Sequence, residues 1–499
     1  MEKIAVSIIF VLLSLCTSLV FIRDLQLNGY RIKFTIDNVV AQYFLTMIFA
    51  FAVVFVRYYS IVSLVFIVCL FVLFSIKYAR LRTKIKLTKR AFRLLILYTL
   101  LVGCIEILNA LFTNNVKLFV VSSFITVALF PVTAMLSHFI ILPFEMLNNA
   151  RYINKARKKL NKINAIKIAI TGSAGKTSCK EILKKILEKK YKVLTTVGNY
   201  NTPMGLALTM KNYADEEVII AEMGARRKGD IKKLADIFKP QYAIMTGVTY
   251  QHVESFVNID RVYHTKKELI DSLDSSGVAV FNGENELAKR MYYECEVRKI
   301  LIGFHNEDVV AKDISVSKNG SEFCVYGRGE PFPLSTKLLG KHNIQNILLC
   351  VAIATELGIK KQDIIDAIKE ITPIKHRLEV IETDKLTIID DSYNANVIGT
   401  REALNVLSSF KGRKVVFSQG IVELGKLQEK INVELGEYIA RVADLVLLTG
   451  ENAGYIRKGL NDMHFDGKII EYKSFKEAQI ALKDVLKEGD VLLIQNDIP

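Results

Sequence analysis

A glycine-rich loop followed by Lys-Thr is the part of the sequence with the clearest chemistry. Residues 166–171 read IKIAIT, typical of a buried strand, and the chain continues into Gly172, Ser173, Ala174, Gly175, Lys176, Thr177 and Ser178 before a predicted helix. In such a loop backbone N–H groups converge on phosphate oxygens, the lysine reaches the β and γ phosphates, and the threonine hydroxyl can bind Mg²⁺. The spacing is shorter than the usual Walker pattern, but the flanking strand and helix favour a phosphate site over an ordinary glycine turn.

Two further residues follow predicted strands and suit a metal ion. Glu222 comes directly after an apolar strand at 218–221, and His252 follows the strand at 242–248. Carboxylate oxygens are hard ligands and imidazole is a borderline one, so both can take part in Mg²⁺ coordination. A lone histidine is more often structural, so from its position alone His252 remains a candidate ligand.

These residues need an α/β scaffold to hold them, and the pattern after residue 162 predicts one. Short apolar runs alternate with amphipathic helical stretches, which is typical of parallel sheets with crossover helices. The runs form two consecutive sets, at 166–302 and at 386–494, and we place the break between them near Pro373. The sequence therefore predicts two α/β domains.

The first third of the 499-residue chain is different, because apolar residues are concentrated there. Five runs, at 5–20, 39–56, 61–76, 94–112 and 118–142, approach or exceed the length that crosses a bilayer. Buried core helices and a cleaved signal peptide are the alternatives, but five runs in about 140 residues favour transmembrane helices. Four or six helices remain open, because residues 109–117 are polar and Pro131 can kink the last run.

The basic residues indicate orientation rather than nucleic-acid binding. The segments 77–93 and 151–162 carry eight and six Lys or Arg and no acidic residue, against a formal net charge of +16. Such segments stay on the cytoplasmic side of a membrane, so we expect the N-terminus outside and residues after 151 in the cytoplasm. The seven cysteines form no C-x-x-C pair, which fits a reducing compartment. We expect no nucleic-acid partner.

From about residue 167 onward, the chain resembles the Mur ligases, the ATP-dependent amide-forming enzymes of cell-wall precursor synthesis, and most closely the MurF branch that adds D-alanyl-D-alanine. Eight segments carry the resemblance in the same order: TGSAGKT at 171–177, GNYNTPMG at 198–205, AEMG at 221–224, QHVE at 251–254, TKKE at 265–268, GKHNIQN at 340–346, HRLE at 376–379 and DDSYNAN at 390–396.

The resemblance implies roles for individual residues. Lys176, Glu222, His252 and Lys266 would be catalytic, and Thr177, Glu222, His252 and Lys266 would hold two Mg²⁺ ions, with Lys266 carbamylated. Lys267 is the neighbouring alternative to Lys266. Residues that bind ATP would be the loop 172–178 with Asn343, Asn346, Arg377 and Asp391. Residues near the substrates would be Asn199, Asn201, Tyr393, Asn394 and Asn396.

The implied reaction passes through an acyl phosphate. ATP phosphorylates a carboxylate, an amine such as D-alanyl-D-alanine attacks, and ADP and phosphate leave. Closure of the last domain would exclude water from the activated acyl group. The acyl donor would be a small-molecule or lipid-linked wall precursor. The alternative is a related Mur-type ligase that acts on a lipid-linked or polymeric substrate.

The resemblance does not cover the N-terminus, where a membrane region stands in place of the usual substrate domain. The last domain also departs from the MurF pattern at 418–425, at Asn432 and at 493–499. We therefore expect a transmembrane α-helical region at 1–150, a basic juxtamembrane linker at 151–165, an ATP-binding P-loop central domain at 166–373 and a Rossmann-like C-terminal domain at 374–499.

The expected location is the bacterial cytoplasmic membrane, with a multi-pass anchor and catalytic domains in the cytoplasm. Expected partners are the lipid bilayer and membrane-bound wall-synthesis enzymes. Two other functional classes are the alternatives to a ligase. A membrane transport ATPase would combine spans with a P-loop, but no strand-borne Walker B aspartate or ABC signature is evident. A catalytically silent scaffold would be expected to lose Lys176, Glu222, His252 or Lys266, and all four are present.

Overall fold

The computed structural model describes residues 2–27, 30, 86–198, 200–249, 259–327, 329–373, 375–392, 397–422 and 424–495. Within these residues the chain divides into two compact units, Met1–Arg151 and Tyr152–Pro499. The predicted runs at 39–56 and 61–76 lie outside the described residues.

The first unit is built from long apolar helices. They are α1 (Glu2–Leu27), α2 (Lys89–Phe112), α3 (Val116–Ala128) and α4 (Phe130–Leu160), the last of which continues past the end of the unit. The segments Val6–Gln26, Lys89–Phe112 and Phe130–Leu160 are long and apolar enough to cross a membrane. Large apolar side chains such as Leu111 and Phe112 are 70% and 82% exposed, which is typical of a surface that faces lipid.

The run predicted at 118–142 is two helices rather than one. α3 ends at Ala128 and α4 begins at Phe130, so Pro131 lies in the first turn of α4. Proline is tolerated there because the first turn needs no N–H donor. α4 then continues through Pro143 to Leu160, so most of the basic segment 151–165 is helical. In the second unit, Ala156 and Leu160 of this helix are buried.

The first sheet of the second unit has nine strands in the order β2-β3-β1-β4-β5-β6-β7-β8-β9. All neighbours from β2 to β7 are parallel, and β8 and β9 add two antiparallel strands at one edge. The strands are β1 (Ile166–Thr171), β2 (Val193–Thr195), β3 (Val218–Glu222), β4 (Tyr242–Met245), β5 (Val278–Asn282), β6 (Arg298–Gly303), β7 (Val309–Ser317), β8 (Gly320–Gly327) and β9 (Gly329–Thr336).

Helices cover both faces of this sheet because its central strands are apolar on both sides. Ile168 and Ile170 of β1 join one core, while Ala169 joins the other, as strand alternation requires. The helices of this part are α5 (Lys176–Leu187), α6 (Pro203–Thr209), α7 (Asp230–Phe238), α8 (Ile259–Lys267), α9 (Glu286–Glu294), α10 (Lys341–Glu356) and α11 (Lys361–Glu370), with a short 3-10 helix at Ile270–Ser272.

The second sheet has six strands in the order β10-β11-β15-β12-β13-β14, parallel except for β10. Its strands are β10 (Glu379–Glu382), β11 (Thr387–Asp391), β12 (Lys414–Ser418), β13 (Leu445–Thr449), β14 (Lys468–Tyr472) and β15 (Val491–Gln495). Its helices are α12 (Val397–Ser408), α13 (Gln428–Ala440), α14 (Ala453–Asp462) and α15 (Phe475–Val485), with a 3-10 turn at Gly425–Leu427. Apolar helices followed by two α/β sheets confirm the predicted fold class.

Candidate active site

The glycine-rich loop joins β1 to α5 at the carboxyl edge of the first sheet. Gly172 and Gly175 have φ of 152° and 82°. A β-carbon on Gly175 would lie 2.6 Å from Oδ1 of Asn346, so only glycine fits without displacing that side chain. The backbone N–H of Ser173 donates to the Gly247 carbonyl at 2.8 Å, and this bond fastens the loop to the residues after β4. Ala174 completes the loop, and Ser178 lies in the first turn of α5.

Lys176 begins α5 and its side chain folds back over the loop. Its Nζ donates to the carbonyls of Gly172 at 2.7 Å and Ser173 at 3.0 Å. Burial lowers the pKa of Lys176, the Glu222 carboxylate opposes that shift, and the Arg377 guanidinium adds to it. An anion bound at the loop would favour the charged ammonium, because phosphate supplies the missing negative charge.

Glu222 lies at the centre of the site with only 3% of its surface exposed. Its Oε2 accepts a hydrogen bond from the Thr177 hydroxyl at 2.9 Å, and its Oε1 accepts from Nδ2 of Asn201 at 3.4 Å. Its own N–H donates to the Thr196 hydroxyl at 3.1 Å. The end of β3 and the start of α5 therefore bring a hydroxyl and a carboxylate together, and these are oxygen ligands that Mg²⁺ prefers.

Lys266, in the last turn of α8, is 5% exposed. No hydrogen bond or ion pair of the described residues involves its Nζ. Burial lowers the pKa of Lys266 well below its usual value, the charge of Lys176 lowers it further, and Glu222 opposes both effects. Lys267 instead forms an ion pair with Asp271 at 2.7 Å on the helix surface. Of the two neighbours, Lys266 is thus the one that shares the electrostatic environment of Lys176 and Glu222.

Asn343 and Asn346 lie in the first half of α10 and are both buried. Nδ2 of Asn343 donates to the Leu339 carbonyl at 2.8 Å. Oδ1 of Asn346 accepts from the Cys179 thiol at 3.2 Å and lies beneath Gly175. The structure therefore brings Asn346 to the phosphate loop, while Asn343 bonds to a residue just before its own helix.

Arg377 and Asp391 come from the second α/β part. Burial raises the pKa of Asp391 to about 6, although the nearby His342 and Arg377 lower it. Because Arg377 also lowers the pKa of Lys176, it links the second sheet electrostatically to the phosphate loop. Five predicted site residues, namely Asn199, His252, Tyr393, Asn394 and Asn396, lie outside the described residues.

Lys180 is a site residue that the sequence analysis did not single out. It is fully buried on α5, its Nζ donates to the Thr196 carbonyl at 2.8 Å and to that of Gly198, and it lies 4.0 Å from Oε2 of Glu222. In the sequence, the feature that could have indicated this role is that Lys180 lies on the apolar face of an amphipathic helix, beside Cys179 and Leu183. Such a lysine needs buried acceptors.

A second missed group is a histidine–aspartate pair near the start of the second sheet. Nδ1 of His376 lies 2.7 Å from Oδ2 of Asp390. The Ser392 hydroxyl donates to the other oxygen of Asp390 at 2.5 Å. The motif segments HRLE and DDSYNAN both contain members of this group, but their contact depends on strand pairing.

Comparison with known proteins agrees with this geometry. Residues 170–354 match the Mur ligase middle domain, and residues 376–495 match the Mur ligase, glutamate ligase domain. The UDP-N-acetylmuramoyl-tripeptide–D-alanyl-D-alanine ligase of Bacillus subtilis is 29% identical over 364 residues, covering 72% of this chain and 78% of that protein. The enzyme of the same name from Haemophilus influenzae is 30% identical over 314 residues, covering 62% of this chain and 68% of that protein.

A solved structure shows the same fold. The MurF ligase of Thermotoga maritima in complex with ADP superposes with a TM-score of 0.63 at 26% identity, covering 70% of this chain and 80% of that one. The matched regions begin after the apolar helices and include the loop, Glu222, Lys266 and the second sheet. The chain belongs to the Mur ligase family and is an ATP-dependent acid–amino acid ligase of cell-wall precursor synthesis.

Proposed function

We propose that this chain is a membrane-anchored, MurF-like ligase that joins the carboxylate of a cell-wall precursor to an amine such as D-alanyl-D-alanine. The observation that carries the proposal is the convergence of Thr177, Glu222 and Lys266 beside the phosphate loop. The relatives named for D-alanyl-D-alanine ligation support the choice of amine. Both matched domains are ligase domains, which favours a ligase over a membrane transport ATPase.

ATP is the substrate that activates the carboxylate. The loop 172–178 would hold its phosphates through backbone N–H groups, and Lys176 would move from the loop carbonyls to the β and γ phosphates. Once there, its ammonium would stabilise the charge that develops on the transferred phosphoryl group, which lowers the barrier.

The donor set around Glu222 fits Mg²⁺, since Thr177 and Glu222 supply oxygen atoms in a buried position. Thr177, Glu222, His252 and a carbamylated Lys266 would hold two Mg²⁺ ions, which neutralise phosphate charge when bound. Thr177 would then turn its hydroxyl from Glu222 to a metal ion.

Carbamylation of Lys266 is consistent with its surroundings. Carbon dioxide reacts with the neutral amine, and burial favours that form by lowering the pKa of Lys266. The product is an anion, so a carbamylated Lys266 would supply oxygen ligands for Mg²⁺ instead of a second positive charge beside Lys176. An unmodified ammonium would instead be a buried positive charge beside Lys176, and burying such a charge costs free energy.

The remaining residues would bind the two ends of the reaction. Asn343, Asn346, Arg377 and Asp391 would contact the nucleotide when the second sheet closes on the first. Asn199 and Asn201 would face the acyl donor. Tyr393, Asn394 and Asn396 would line the amine site, and closure there would keep water from the acyl phosphate.

The acyl donor has two candidates. One is the UDP-muramoyl tripeptide, bound without the usual N-terminal domain. The other is a lipid-linked or polymeric wall component, which the apolar helices favour because they would place the ligase at the bilayer surface. Proximity of enzyme and donor in two dimensions raises their effective concentration.

We further propose a multi-pass anchor in the bacterial cytoplasmic membrane, with the catalytic part in the cytoplasm where ATP is supplied. The proposed division is a transmembrane region at 1–150, a basic segment at 151–165, a central domain at 166–373 and a C-terminal domain at 374–499. Membrane-bound wall-synthesis enzymes would be partners at that surface. A fluorescent protein fused after Pro499 should be bright if that end is cytoplasmic, and a periplasmic reporter there should be silent.

The decisive experiment is a product assay. The purified full-length chain is incubated with ATP, Mg²⁺, D-alanyl-D-alanine and either UDP-muramoyl tripeptide or membranes that carry lipid-linked precursor. Mass spectrometry should show a product that joins donor and amine, with ADP formed in equal amount. ATP hydrolysis without any joined product, or hydrolysis stimulated by a transported solute, would contradict the proposal.

A further inference from the structure

One end of the apolar helices carries a stack of three polar side chains. Tyr30 follows α1, and its backbone N–H donates to the Leu25 carbonyl, which folds the chain back over the end of that helix. The guanidinium carbon of Arg90, in the first turn of α2, lies 3.8 Å from the centre of the Tyr30 ring. The ring of His138, on α4, is stacked on the Tyr30 ring with centres 6.2 Å apart and planes inclined by 9°. Three parts of the first unit therefore meet in one stack.

Each member of this stack has a buried polar atom without a hydrogen-bond partner. Among the described residues, Nε of Arg90, the Tyr30 hydroxyl and Nδ1 of His138 are all enclosed and unpaired. Only 1% of His138 is exposed, whereas Arg90 and Tyr30 are half-buried, so a ligand can reach the stack from the surface. Buried polar atoms in native proteins are nearly always paired, because an unpaired one costs free energy. Three unpaired atoms in one stack therefore indicate a bound group that pairs with them.

The positive charge of Arg90 is also unmatched. Its neighbour Arg93 forms an ion pair with Glu145 on α4, with Nη2 and Oε1 2.6 Å apart, so that acid already has a partner. No ion pair or hydrogen bond of the described residues involves the Arg90 side chain, and the sequence from 77 to 93 contains no acidic residue. The contact with the Tyr30 ring stabilises the cation but supplies no negative charge. The missing partner is therefore an anion.

A phosphate group attached to a lipid fits both the donors and their surroundings. The guanidinium fork matches phosphate oxygens, and a hydroxyl and an imidazole N–H can donate to the oxygens that remain. α2 and α4 are long and apolar enough to span a bilayer. Several apolar side chains on these turns of α2 and α4, or just before them, are more than half exposed, namely Leu87, Phe92, Phe139 and Phe144. Basic pockets between membrane helices on the cytoplasmic side are typical sites for lipid head groups.

We propose that Arg90, Tyr30 and His138 form a binding site for the phosphate group of a membrane lipid at the cytoplasmic end of the helices. The basic sequence from 77 to 93, which includes Arg90, places this end in the cytoplasm. The inference rests on the proposed function and deepens it, because an acyl donor linked to its lipid through phosphate carries the group that this site would hold. The helices would then bind the lipid end of the donor as well as anchor the enzyme.

The test measures binding to the full-length protein in a neutral detergent by isothermal titration calorimetry. ADP and Mg²⁺ are present throughout, so that the phosphate loop of the second unit is occupied. The probes are farnesyl diphosphate, farnesol, inorganic diphosphate and dihexanoyl phosphatidylglycerol. Farnesyl diphosphate should bind at least about tenfold more tightly than farnesol or inorganic diphosphate, because farnesol lacks the charged group and diphosphate lacks the apolar chain.

Two substitutions in the stack should weaken the binding of farnesyl diphosphate. Arg90→Gln should raise its Kd by roughly tenfold or more, because it removes a charge-assisted hydrogen bond. Tyr30→Phe keeps the ring beside the guanidinium and removes only the unpaired hydroxyl, so we expect about a threefold rise. Lys89→Gln is the matched control, since Lys89 is an exposed cation one residue away whose charge is screened by salt, and its Kd should change by less than about twofold. Melting temperatures without lipid report whether each variant is folded, and Tyr30→Phe decides if Arg90→Gln is not.

Several results would overturn the inference. Equal losses in Arg90→Gln and Lys89→Gln would show a diffuse attraction to basic residues, and equal affinity for farnesol would show that phosphate is not recognised. Equal affinity for inorganic diphosphate would make the ligand a soluble phosphate, and tighter binding of phosphatidylglycerol would assign the site to bulk phospholipid rather than to a donor. None of these measurements needs turnover. Protein that binds the lipid phosphate but never joins donor and amine would refute the proposed function alone, so the two failures are distinguishable.

Discussion

The hydroxyl of Thr177 donates a 2.9 Å hydrogen bond to Oε2 of Glu222, which joins the first turn of α5 to the end of β3. The two residues are 45 positions apart in the chain and meet because β1 and β3 are adjacent parallel strands. The carboxyl ends of parallel strands share one edge of a sheet, where ligands bind in open α/β folds.

Removing the side-chain oxygen of Thr177 or Glu222 should change how the rate of product formation depends on the Mg²⁺ concentration. We expect Thr177→Val and Glu222→Gln each to lower ATP-dependent product formation by roughly 10²–10³-fold, because each removes an oxygen that stabilises phosphate charge through a metal ion. Initial rates measured across a Mg²⁺ titration check this. Glu188→Gln, a partly exposed acid at the far end of the same helix that pairs with Lys184, is the control and should behave as wild type. Unchanged Mg²⁺ dependence in Glu222→Gln would rule out Glu222 as a ligand.

Lys266→Ala should abolish amide synthesis, with partial recovery when a short carboxylate such as formate is added. The reason is that the lost group is proposed to act as a carbamate, and a small anion can occupy the space left by the side chain. Lys267→Ala should retain activity, because Lys267 pairs with Asp271 on the surface. Full activity of Lys266→Ala would mean that the two-metal assignment is wrong.

Gly175→Ala should weaken nucleotide binding. Its β-carbon would lie 2.6 Å from Oδ1 of Asn346 at a residue with φ of 82°, so the loop would have to shift away from the phosphates. Gly229→Ala is the matched control, since Gly229 has φ of 87° but nothing within 4 Å of the new atom. Titration with a fluorescent ATP analogue measures both. Equal weakening in the two variants would show that backbone strain, rather than the collision, is responsible.

Lys180→Met should destabilise the second unit and raise KM for the acyl donor. The substitution leaves the carbonyls of Thr196 and Gly198 without their donor and removes a positive charge 4.0 Å from Glu222. Breaking a buried charged contact costs about 3 kcal/mol or more. Thermal unfolding and steady-state kinetics test this against Lys184→Met, whose partly exposed ammonium pairs with Glu188 at 3.7 Å. Equal stability of the two variants would contradict a structural role for Lys180.

Asp391 should make stability depend on pH in the mildly acidic range. Its pKa is about 6 in the folded chain against an ordinary value of 3.8, so the folded state holds this proton more tightly. The stabilising contribution is present below about pH 4 and is lost as the pH rises through about 6. Between about pH 4 and about pH 6, the melting temperature should therefore fall less steeply with rising pH in Asp391→Asn than in wild type. Identical pH dependence in both proteins would show that Asp391 ionises normally.

Much of the fold followed from local pattern. Apolar runs of membrane length, the strand before Gly172 and the helix after Thr177 are properties of short segments, so periodicity and glycine placement suffice to predict them. Pro131 was harder to interpret, because proline marks a kink within a helix and an acceptable first turn equally well. Only the observed helix bounds show that a new helix starts beside it.

The site residues that lie in short sequence motifs were predictable. Those whose role depends on packing between distant segments were not. Lys176, Thr177, Glu222 and Lys266 stand in recognisable segments. The role of Lys180 depends on the carbonyls of Thr196 and Gly198, which lie 16 and 18 residues away and meet it only through the sheet. The pairing of His376 with Asp390 likewise needs β10 beside β11.

By itself, the sequence determined that apolar helices precede two α/β parts, that a phosphate loop opens the first, and which family the ordered motifs match. Those properties depend on residue type and spacing along the chain. Tertiary structure alone decided that Lys266 rather than Lys267 is buried near Glu222. It also decided that Lys180 donates to the carbonyls of Thr196 and Gly198, and that His376 contacts Asp390. Burial and hydrogen bonding arise between segments distant in sequence, and the pKa and partner of each group depend on those neighbours.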